Sequence, residues 1–394
     1  MKIAFVVPIA LQNPDPAIKN RWGVWGSEIS SLYVIKELAR RGHEVTVFSF
    51  DSKKEKEEEI EGVYFKRYPP SRRNASSKNF IFIKRRLFRH YDIIHFYGLV
   101  MFRYSYVVKM LNMFNDVKTV VTLNYYSNIC PKGSAMKNYD ICKRCNFIDL
   151  LKCSHRFDRA LKIEIYRHLS FLNDAYIVLS RNSKKVFEMF GFPKRKLHVI
   201  PNIIPRINYK NRKSDGKTLI YTGRLDATKG VDILLKALSI VKEKNENFRC
   251  YIVGEGSEMK NLKALVEHLK ISDKVYFTGL VDHEHLEEYY LRSDIFVFPV
   301  RWLEPFGRSL LEAMAYGLPI IASEAVDQEI IKDAAITFKV NDYHDLADKI
   351  VYLLSNEDAR EKISKAGREQ VKNFYPEKVI PKLEQVYKKI VYKF

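Results

Sequence analysis

Short apolar runs rich in β-branched residues alternate along this chain with longer amphipathic stretches. In the first half, strands are predicted at residues 3–8, 44–50, 64–68, 93–97, 119–123, 175–179 and 198–200. Helical patterns lie between several of them, at 28–41, 102–114 and 158–173. Because the strands are continuous apolar runs separated by helices, the pattern predicts an α/β fold with a parallel sheet covered on both faces.

The same alternation restarts after a polar, basic stretch at 201–215, which contains Pro201 and Pro205 and is predicted to be a linker. Further strands are predicted at residues 218–221, 250–253, 275–278, 295–299, 319–322 and 335–338. A helical tail follows from 359 and is broken at Pro376. The predicted domains are therefore 1–205 and 206–375, with 376–394 as a C-terminal helix. Ligands of such sheets bind at the carboxyl ends of the strands.

The composition is that of a folded protein with two domains. The chain has 394 residues, of which 46% are hydrophobic and 29% charged, so an intrinsically disordered chain is excluded. No run approaches the roughly 20 apolar residues that span a bilayer. The first apolar stretch is too short for a signal peptide, and no small-residue cleavage site follows it. We therefore expect a cytoplasmic protein.

The net charge of +20 is concentrated in the first half of the chain. Residues 1–205 contain 36 Lys and Arg against 18 Asp and Glu, whereas residues 206–394 contain 31 against 29. Such a surface attracts an anionic membrane, a phosphorylated acceptor or nucleic acid. The densest patch, 67–89, interleaves cations with phenylalanines, as does an amphipathic segment on lipid headgroups, although a solvated helix face has the same pattern. No nucleic-acid-binding module is recognisable, so we expect no nucleic acid partner.

Four of the five cysteines, Cys130, Cys142, Cys145 and Cys153, lie close together in the sequence. Four thiolates can bind zinc tetrahedrally, although this spacing is not that of a regular zinc finger. A structural zinc site is therefore one hypothesis, beside free thiols or a disulfide.

Two loops after predicted strands contain candidate ligand-binding groups. Gly223 permits a sharp turn, and Arg224 and Lys229 follow before a helix begins near residue 231. Two cations beside a helix N-terminus can hold a pyrophosphate, although two solvated surface charges fit as well. Gly254 and Gly256 form part of a glycine-rich fingerprint that lacks its third glycine, and a plain tight turn is an equal alternative.

The segment 298–312 has the strongest signal for chemistry. A strand ends near 299, a loop contains Glu304 and Phe306, and a helix is predicted to begin near Gly307. The backbone N–H groups of its first turn would face an anion. Those amides belong to Gly307, Arg308 and Ser309. Glu304 and Glu312 are suited to accept hydrogen bonds from the vicinal hydroxyls of a sugar or ribose.

Together these motifs, with the sequence from Glu312 to residue 319 and the glycine-rich segment 23–28, resemble the retaining, nucleotide-sugar-dependent glycosyltransferases of family 4. The resemblance covers almost the whole chain. It implies the GT-B fold, in which two Rossmann-like doubly wound parallel-sheet domains face each other across a cleft, the first binding the acceptor and the second the nucleotide sugar. It also implies that the C-terminal helix crosses back to the first domain.

The resemblance also implies roles for individual residues. Arg224 and Lys229 would bind the donor pyrophosphate, Glu304 the transferred hexosyl unit, and Glu312 the ribose. The donor would further contact the backbone of residues 306–310, a set that includes Leu310, and the glycines of three loops, Gly26, Gly223, Gly254 and Gly256. The leaving phosphate can take the acceptor proton, so no dedicated protein base is required. No cofactor is expected for catalysis beyond the nucleotide-sugar donor.

One departure from the family pattern lies at Asn124, where family members commonly have a histidine. Asparagine can hydrogen-bond a sugar hydroxyl but cannot carry a proton at neutral pH. The cysteines follow directly, in an insertion at about 125–156. The expected function is hexosyl transfer to a lipid-linked or polysaccharide acceptor, with the protein peripheral on the cytoplasmic face of an anionic membrane. A non-catalytic nucleotide-sugar-binding protein and a nucleotide-sugar epimerase are the alternatives.

Overall fold

A computed structural model describes residues 1–8, 26–69, 90–97, 105–106, 109, 117–137, 140–142, 145–207, 215–244 and 247–392. The chain divides into two compact units. The first comprises Met1–Pro205 and Pro376–Phe394, and the second comprises Arg206–Tyr375. Most of the predicted helix at 102–114, most of the basic patch at 67–89 and the segment 23–25 lie outside the described residues.

The strands of the described residues are numbered in chain order. They are β1 (Lys2–Val6), β2 (Glu44–Ser49), β3 (Lys56–Ile60), β4 (Val63–Arg67), β5 (Ile93–Tyr97), β6 (Lys118–Leu123), β7 (Met136–Lys137), β8 (Asp140–Ile141), β9 (Ala175–Val178), β10 (Leu197–Val199), β11 (Thr218–Thr222), β12 (Arg249–Val253), β13 (Val275–Gly279), β14 (Ile295–Phe298), β15 (Ile320–Ser323) and β16 (Ala335–Phe338).

The α-helices of the same residues lie between the strands and after them. They are α1 (Gly26–Arg40), α2 (Phe147–Ser154), α3 (Phe157–His168), α4 (Arg181–Met189), α5 (Val231–Lys244), α6 (Met259–His268), α7 (His283–Leu291), α8 (Arg308–Ala315), α9 (Gln328–Ile331), α10 (Tyr343–Ser355), α11 (Glu357–Val371) and α12 (Pro376–Tyr392). None of them is long and apolar enough to cross a membrane.

The first unit contains an eight-stranded sheet in the order β10-β9-β6-β5-β1-β2-β4-β3. All neighbours pair in parallel except β3, which is antiparallel to β4. The parallel strands coincide with the predicted apolar runs to within about two residues at each end, which is the usual uncertainty of element boundaries. The prediction of a parallel sheet is therefore confirmed.

Strand β3 is not predicted, because its sequence, Lys-Glu-Glu-Glu-Ile, has no apolar alternation. Ion pairs with β4 support it instead. Arg67 of β4 is buried and pairs with Glu58 over 2.6 Å and with Asp51 over 2.8 Å. A short, charged edge strand also discourages pairing with other chains.

The C-terminal helix α12 packs on the first unit, as the resemblance implies. Its apolar side chains, among them Val379, Leu383 and Tyr387, belong to the same core as the first sheet. Glu384 of α12 pairs with Arg41 over 3.0 Å and with His43 over 2.9 Å. The predicted break at Pro376 is the first residue of this helix, where its fixed φ angle suits a helix start.

The second unit contains a six-stranded parallel sheet in the order β13-β12-β11-β14-β15-β16. In chain order within the unit this is 3-2-1-4-5-6, the doubly wound arrangement of Rossmann folds. The order reverses beside β11, whose neighbours are β12 and β14. Ligands of such sheets bind outside the carboxyl ends of the strands at this reversal point.

Candidate functional site

The loops that leave β11 and β14 lie at the reversal point of the second sheet, and both contain charged residues. The β11 loop contains Arg224 and Lys229, and the β14 loop contains Glu304 and leads into α8. The two loops contact each other, because the N–H group of Arg301 donates a hydrogen bond to the carbonyl of Thr228 over 2.9 Å. The second sheet therefore brings the predicted donor-binding motifs to one edge.

Lys229 and Glu304 form a largely buried ion pair. The Lys229 ammonium lies 2.6 Å from Glu304 Oε2, and the Trp302 indole donates a hydrogen bond to the same oxygen over 2.7 Å. The ammonium also lies 5.5 Å from the ring centre of Trp302 and 5.8 Å from that of Phe298. The lysine side chain is thus held in place by a carboxylate and two aromatic rings.

Helix α8 begins immediately after the β14 loop, which contains Glu304. Its N-cap is Gly307, with φ of 73°, a conformation that favours glycine, and no side chain caps the helix. A Cβ at this position would lie 2.9–3.0 Å from Leu310 and Phe298. Since the first amides of a helix have no intrahelical acceptor, this uncapped end is suited to an anion.

Glu312, on the second turn of α8, is buried and held by two side chains. Arg308 Nε donates to Glu312 Oε1 over 2.9 Å. Tyr290 of α7 donates to Oε2 over 3.0 Å and also lies 2.8 Å from the Thr222 hydroxyl at the end of β11. Burial, with the Glu312 charge, raises the pKa of Tyr290 well above its ordinary value, so the phenol remains a hydrogen-bond donor.

Tyr290 and Thr222 belong to this site but lie outside the candidate residues that the sequence analysis identifies. Tyr290 stacks on Tyr316 with ring centres 5.0 Å apart. Its helix contains two consecutive tyrosines, Tyr289 and Tyr290, and nothing in that pattern distinguishes the one that contacts Glu312. Trp302, by contrast, stands two residues before Glu304 in the motif itself.

Arg224 has a more exposed position than Lys229. Its guanidinium lies 3.3 Å from Asp226, and its backbone carbonyl accepts a hydrogen bond from the buried Tyr221 hydroxyl over 2.8 Å. The Tyr221 side chain thereby fixes the backbone from which Arg224 extends. The two cations of the β11 loop therefore differ: one is half-exposed, and the other is largely buried against Glu304.

The glycines at 254 and 256 allow two loops to pack backbone against backbone. A Cβ at Gly254 would lie 2.0 Å from the carbonyl oxygen of Gly223, and one at Gly256 would lie 2.2 Å from that of Leu225. The Leu225 N–H donates to the Glu255 carbonyl over 2.8 Å. Any larger residue would push the β11 and β12 loops apart. These glycines therefore position the β11 loop, which contains Arg224.

The remaining residues of the predicted donor-binding set differ in exposure. Phe306 and Leu310 are buried, and Phe306 packs edge-on against Phe374, so only their backbone groups are candidates for ligand contact. Ser309 is half-buried at the start of α8. Gly26 begins α1 in the first unit.

Asn124 follows β6 in the first unit and is buried with both side-chain polar atoms unpartnered. An amide buried without hydrogen bonds costs about 1–3 kcal/mol. Such an orphaned group in a native fold calls for a ligand or an ordered water.

The four clustered cysteines are free thiols, as is Cys250. Burial raises the pKa of Cys142 to about 11, and the neighbouring Cys130, Cys145 and Cys153 contribute to this shift. Cys142 is therefore within electrostatic range of the other three thiols. Nevertheless, the described residues contain no group of three or more His, Cys, Asp or Glu arranged to hold a metal ion. The structure thus gives the zinc hypothesis no support.

Comparison with known proteins agrees with this architecture. The sequence matches the family model "Glycosyltransferase Family 4" over residues 24–206 and "Glycosyl transferases group 1" over residues 205–370. Spore coat protein SA of Bacillus subtilis is 33% identical over 184 residues, which are 44% of this chain and 49% of that protein. The O-antigen biosynthesis glycosyltransferase WclY of Escherichia coli is 25% identical over 343 residues, 84% of this chain and 86% of that protein.

The match to some relatives covers only part of their length. It spans 24% of the exopolysaccharide phosphotransferase of Streptomyces coelicolor and about half of spore coat protein SA.

Solved structures share the fold at low sequence identity. Sucrose-phosphate synthase from Thermosynechococcus elongatus has a TM-score of 0.75 at 20% identity, and the superposition covers 100% of both chains. HepE from Anabaena, in complex with UDP, has a TM-score of 0.71 at 16% identity and covers 98% of this chain and 99% of that one. With two Rossmann-like units, a C-terminal helix on the first unit and both family matches in succession, the chain belongs to the family 4 glycosyltransferases of the GT-B fold.

Proposed function

We propose that this protein transfers a hexosyl unit, with retention of anomeric configuration, from a nucleotide-diphosphate sugar to a lipid-linked or glycan acceptor. One observation carries the proposal. At the reversal point of the second sheet, two buried carboxylates, Glu304 and Glu312, are each paired with a cation beside an uncapped helix N-terminus. This combination supplies groups for both the hydroxyls and the diphosphate of one donor.

The diphosphate would bind to the β11 loop and to the first amides of α8. Lys229 lies 2.6 Å from Glu304 of the β14 loop, and the half-exposed Arg224 would contact the diphosphate from the solvent side. When the glycosidic bond breaks, negative charge develops on the departing diphosphate. Fixed cations and helix amides aimed at that charge lower the barrier, because they need no rearrangement during the reaction.

The hydroxyl groups of the donor would bind to the carboxylates. Glu312 would accept hydrogen bonds from the ribose, and Glu304 from the transferred sugar. Because Tyr290 and Arg308 hold both oxygens of Glu312, its orientation is set before the nucleotide arrives. The bond from the anomeric carbon to the β-phosphate oxygen breaks, and the acceptor oxygen attacks the same face. The acceptor proton passes to the leaving phosphate, so no protein base is consumed.

Asn124 would hydrogen-bond a sugar hydroxyl. Its two orphaned polar atoms can donate and accept, and a sugar hydroxyl does both. Asn124 is also the reason for the alternative function, a nucleotide-sugar-binding protein without transferase activity, because asparagine cannot take part in proton transfer.

The acceptor class is inferred from charge and from relatives. WclY is named for O-antigen biosynthesis, which favours a glycan acceptor, and we place a lipid-linked one on the cytoplasmic leaflet. The excess of 36 Lys and Arg over 18 Asp and Glu in residues 1–205 suits peripheral docking on that anionic surface. The proposal thus includes a location in the cytoplasm, at the membrane, with no nucleic acid partner.

A panel of nucleoside diphosphates and their sugars tests the proposal, with thermal stabilisation as the first readout. UDP is the first probe, because HepE was solved with it. The stabilising nucleotide sugar is then incubated alone and with glycan or lipid-linked acceptors. Transfer, or slow hydrolysis of the donor, supports the transferase. Tight donor binding with neither reaction favours the binding protein, and stabilisation by none of the probes contradicts both.

A further inference from the structure

Helix α3, which directly follows the predicted insertion at about 125–156, exposes an apolar stripe. Phe157, Leu161 and Ile165 recur every four residues and are 62%, 41% and 46% exposed. A spacing of four places them on one face of the helix. The other face is already covered, because Ala160 and Ile163 pack with Leu150 of α2 in a small core. The exposed side chains lie outside that core, although Phe157 also packs edge-on against Phe147 of α2 with ring centres 5.9 Å apart.

This concentration of exposed apolar residues is specific to one region. Seven large apolar side chains other than tyrosine are exposed among the described residues, and five of them lie within residues 148–171. The other two of the five are Ile148, 60% exposed at the start of α2, and Phe171, 61% exposed in the turn that follows α3. Apolar side chains clustered in this way mark an interaction surface, whereas scattered single ones do not.

The charges around the stripe have one predominant sign. Residues 145–200 contain eleven Lys and Arg against five Asp and Glu. Exposed cations flank the apolar positions along the chain: Lys152, Arg156, Arg159 and Lys162. A further basic turn, residues 194–196, lies against Phe171, because Lys196 donates hydrogen bonds to the carbonyls of Phe171 and, over 2.7 Å, Asn173.

The two acidic side chains of α3 itself each pair with a nearby arginine. Asp158 lies 2.8 Å from Arg156, and Glu164 lies 3.3 Å from Arg167. An apolar helix face with cations at its margins complements an anionic bilayer, in which acyl chains accept the apolar groups and phosphates accept the cations.

We propose that the exposed face of α3, with Ile148 and Phe171 beside it, inserts shallowly into the headgroup region of an anionic phospholipid membrane. The surface lies in the described part of the first unit and is separate in sequence from the basic patch at 67–89. The inference deepens the proposed function, which locates the acceptor on a membrane. Its test needs neither donor nor acceptor. The membrane proposal and the proposed transferase activity can therefore fail separately.

The full chain is sedimented with vesicles of phosphatidylcholine alone and of phosphatidylcholine mixed with phosphatidylglycerol. We expect partitioning onto the anionic vesicles to exceed that onto neutral ones by at least about tenfold, and to weaken as salt rises. The double variant Phe157→Ser/Ile165→Ser should reduce binding to anionic vesicles by about tenfold or more, since both apolar anchors are lost. The double variant Leu280→Ser/Tyr352→Ser is the control, because it removes two exposed side chains of the second unit and should bind like the wild type.

A second measurement, fluorescence quenching, reports whether the α3 surface itself enters the bilayer. Phe157→Trp should give added fluorescence that lipids brominated on their acyl chains quench, and Leu280→Trp should not. Unchanged melting temperatures establish that the variants are folded. The proposal is overturned if the wild type binds neither vesicle, if the α3 variant binds as well as the wild type, or if the fluorescence added by Phe157→Trp is not quenched. It is also overturned if light scattering finds a wild-type dimer that the α3 double variant abolishes, since a second copy would then cover this face.

Discussion

The Lys229 ammonium and the Glu304 carboxylate lie 2.6 Å apart at the carboxyl edge of the second sheet. Trp302 donates to the same carboxylate oxygen, so the pair is fixed on both sides. A charge-assisted hydrogen bond between largely buried groups is stronger than one in water. The cation is therefore already oriented before a donor binds, which is the condition for electrostatic stabilisation of a leaving group.

Replacing Lys229 with alanine should lower kcat by about 10²–10³-fold, the usual cost of removing one preorganised electrostatic contact to a developing charge. The melting temperature should also fall, because Glu304 loses its cation. The measurement is steady-state transfer or donor hydrolysis below the melting temperature of the variant. Lys242→Ala, which breaks a surface pair with Asp273, is the control and should leave kcat unchanged. An unaltered kcat in the Lys229 variant would remove this lysine from the mechanism.

Glu312→Ala should weaken the binding of UDP, or of whichever diphosphate stabilises the protein, by about 10–100-fold, because a hydrogen bond to a charged group contributes about 1.5–3 kcal/mol. Isothermal titration calorimetry gives the dissociation constant directly. The exposed Glu267→Ala variant should bind like the wild type. The same dissociation constant in the Glu312 variant and the wild type would contradict the ribose role.

Tyr290→Phe should weaken nucleotide binding by a smaller factor, about fivefold, because it removes one hydrogen bond that orients Glu312. The effect should vanish in a background that already contains Glu312→Ala, since Tyr290 acts through that carboxylate. Tyr276→Phe, which removes an exposed hydroxyl bonded to the Asp273 carbonyl, is the matched control. Additive effects of the Tyr290 and Glu312 changes would mean that the tyrosine contacts the nucleotide by another route.

The strands, and the loops that the structure brings together at the edge of the second sheet, could be predicted from the sequence because both depend on local signals. Glycines, prolines and charges recur at short spacing in the β11 and β14 loops, and buried strands are apolar throughout. Tyr290 could not be predicted, since its contact with Glu312 spans 22 positions and depends on how α7 packs beside α8. Strand β3 is missed for a similar reason: Glu58 is stabilised by Arg67 of the neighbouring strand and not by its own apolar pattern.

Asn124→Ala should lower kcat/KM by about fivefold or more while leaving the melting temperature the same or higher. The buried amide has no partner, so its removal relieves a cost of about 1–3 kcal/mol in the unliganded protein. Differential scanning fluorimetry and transfer kinetics on one preparation measure both effects. Asn202→Ala is the control, because Asn202 accepts a hydrogen bond from Tyr97 and its loss should lower the melting temperature. A large fall in melting temperature for the Asn124 variant would indicate a structural role instead.

His95 should make the first unit less stable as the pH falls. The ring is fully buried, lying 2.5 Å from the Tyr387 hydroxyl and 2.7 Å from that of Thr122, among the rings of Phe5 and Tyr97. Burial lowers its pKa to about 3. Below about pH 6.5, therefore, this histidine binds a proton in the unfolded chain but stays neutral in the folded one. The stabilisation is complete above that pH and is lost progressively as pH falls, by about 1.4 kcal/mol per pH unit.

Urea unfolding of the wild type and of His95→Gln between pH 7 and pH 5 measures this contribution. The variant should be less stable at pH 7 but should lose less free energy of unfolding on acidification. His268→Gln, which changes an exposed histidine, should retain the wild-type slope. Equal slopes for wild type and His95→Gln would show that this histidine does not resist protonation in the fold.

The most direct measurement is a crystal structure of the protein grown with UDP, or with whichever diphosphate the stabilisation panel selects. The account predicts the pyrophosphate within hydrogen-bonding distance of Lys229 and of the first amides of α8, with the ribose hydroxyls on Glu312. A nucleotide bound away from these groups, or a ribose that leaves the Glu312 carboxylate untouched, would contradict it.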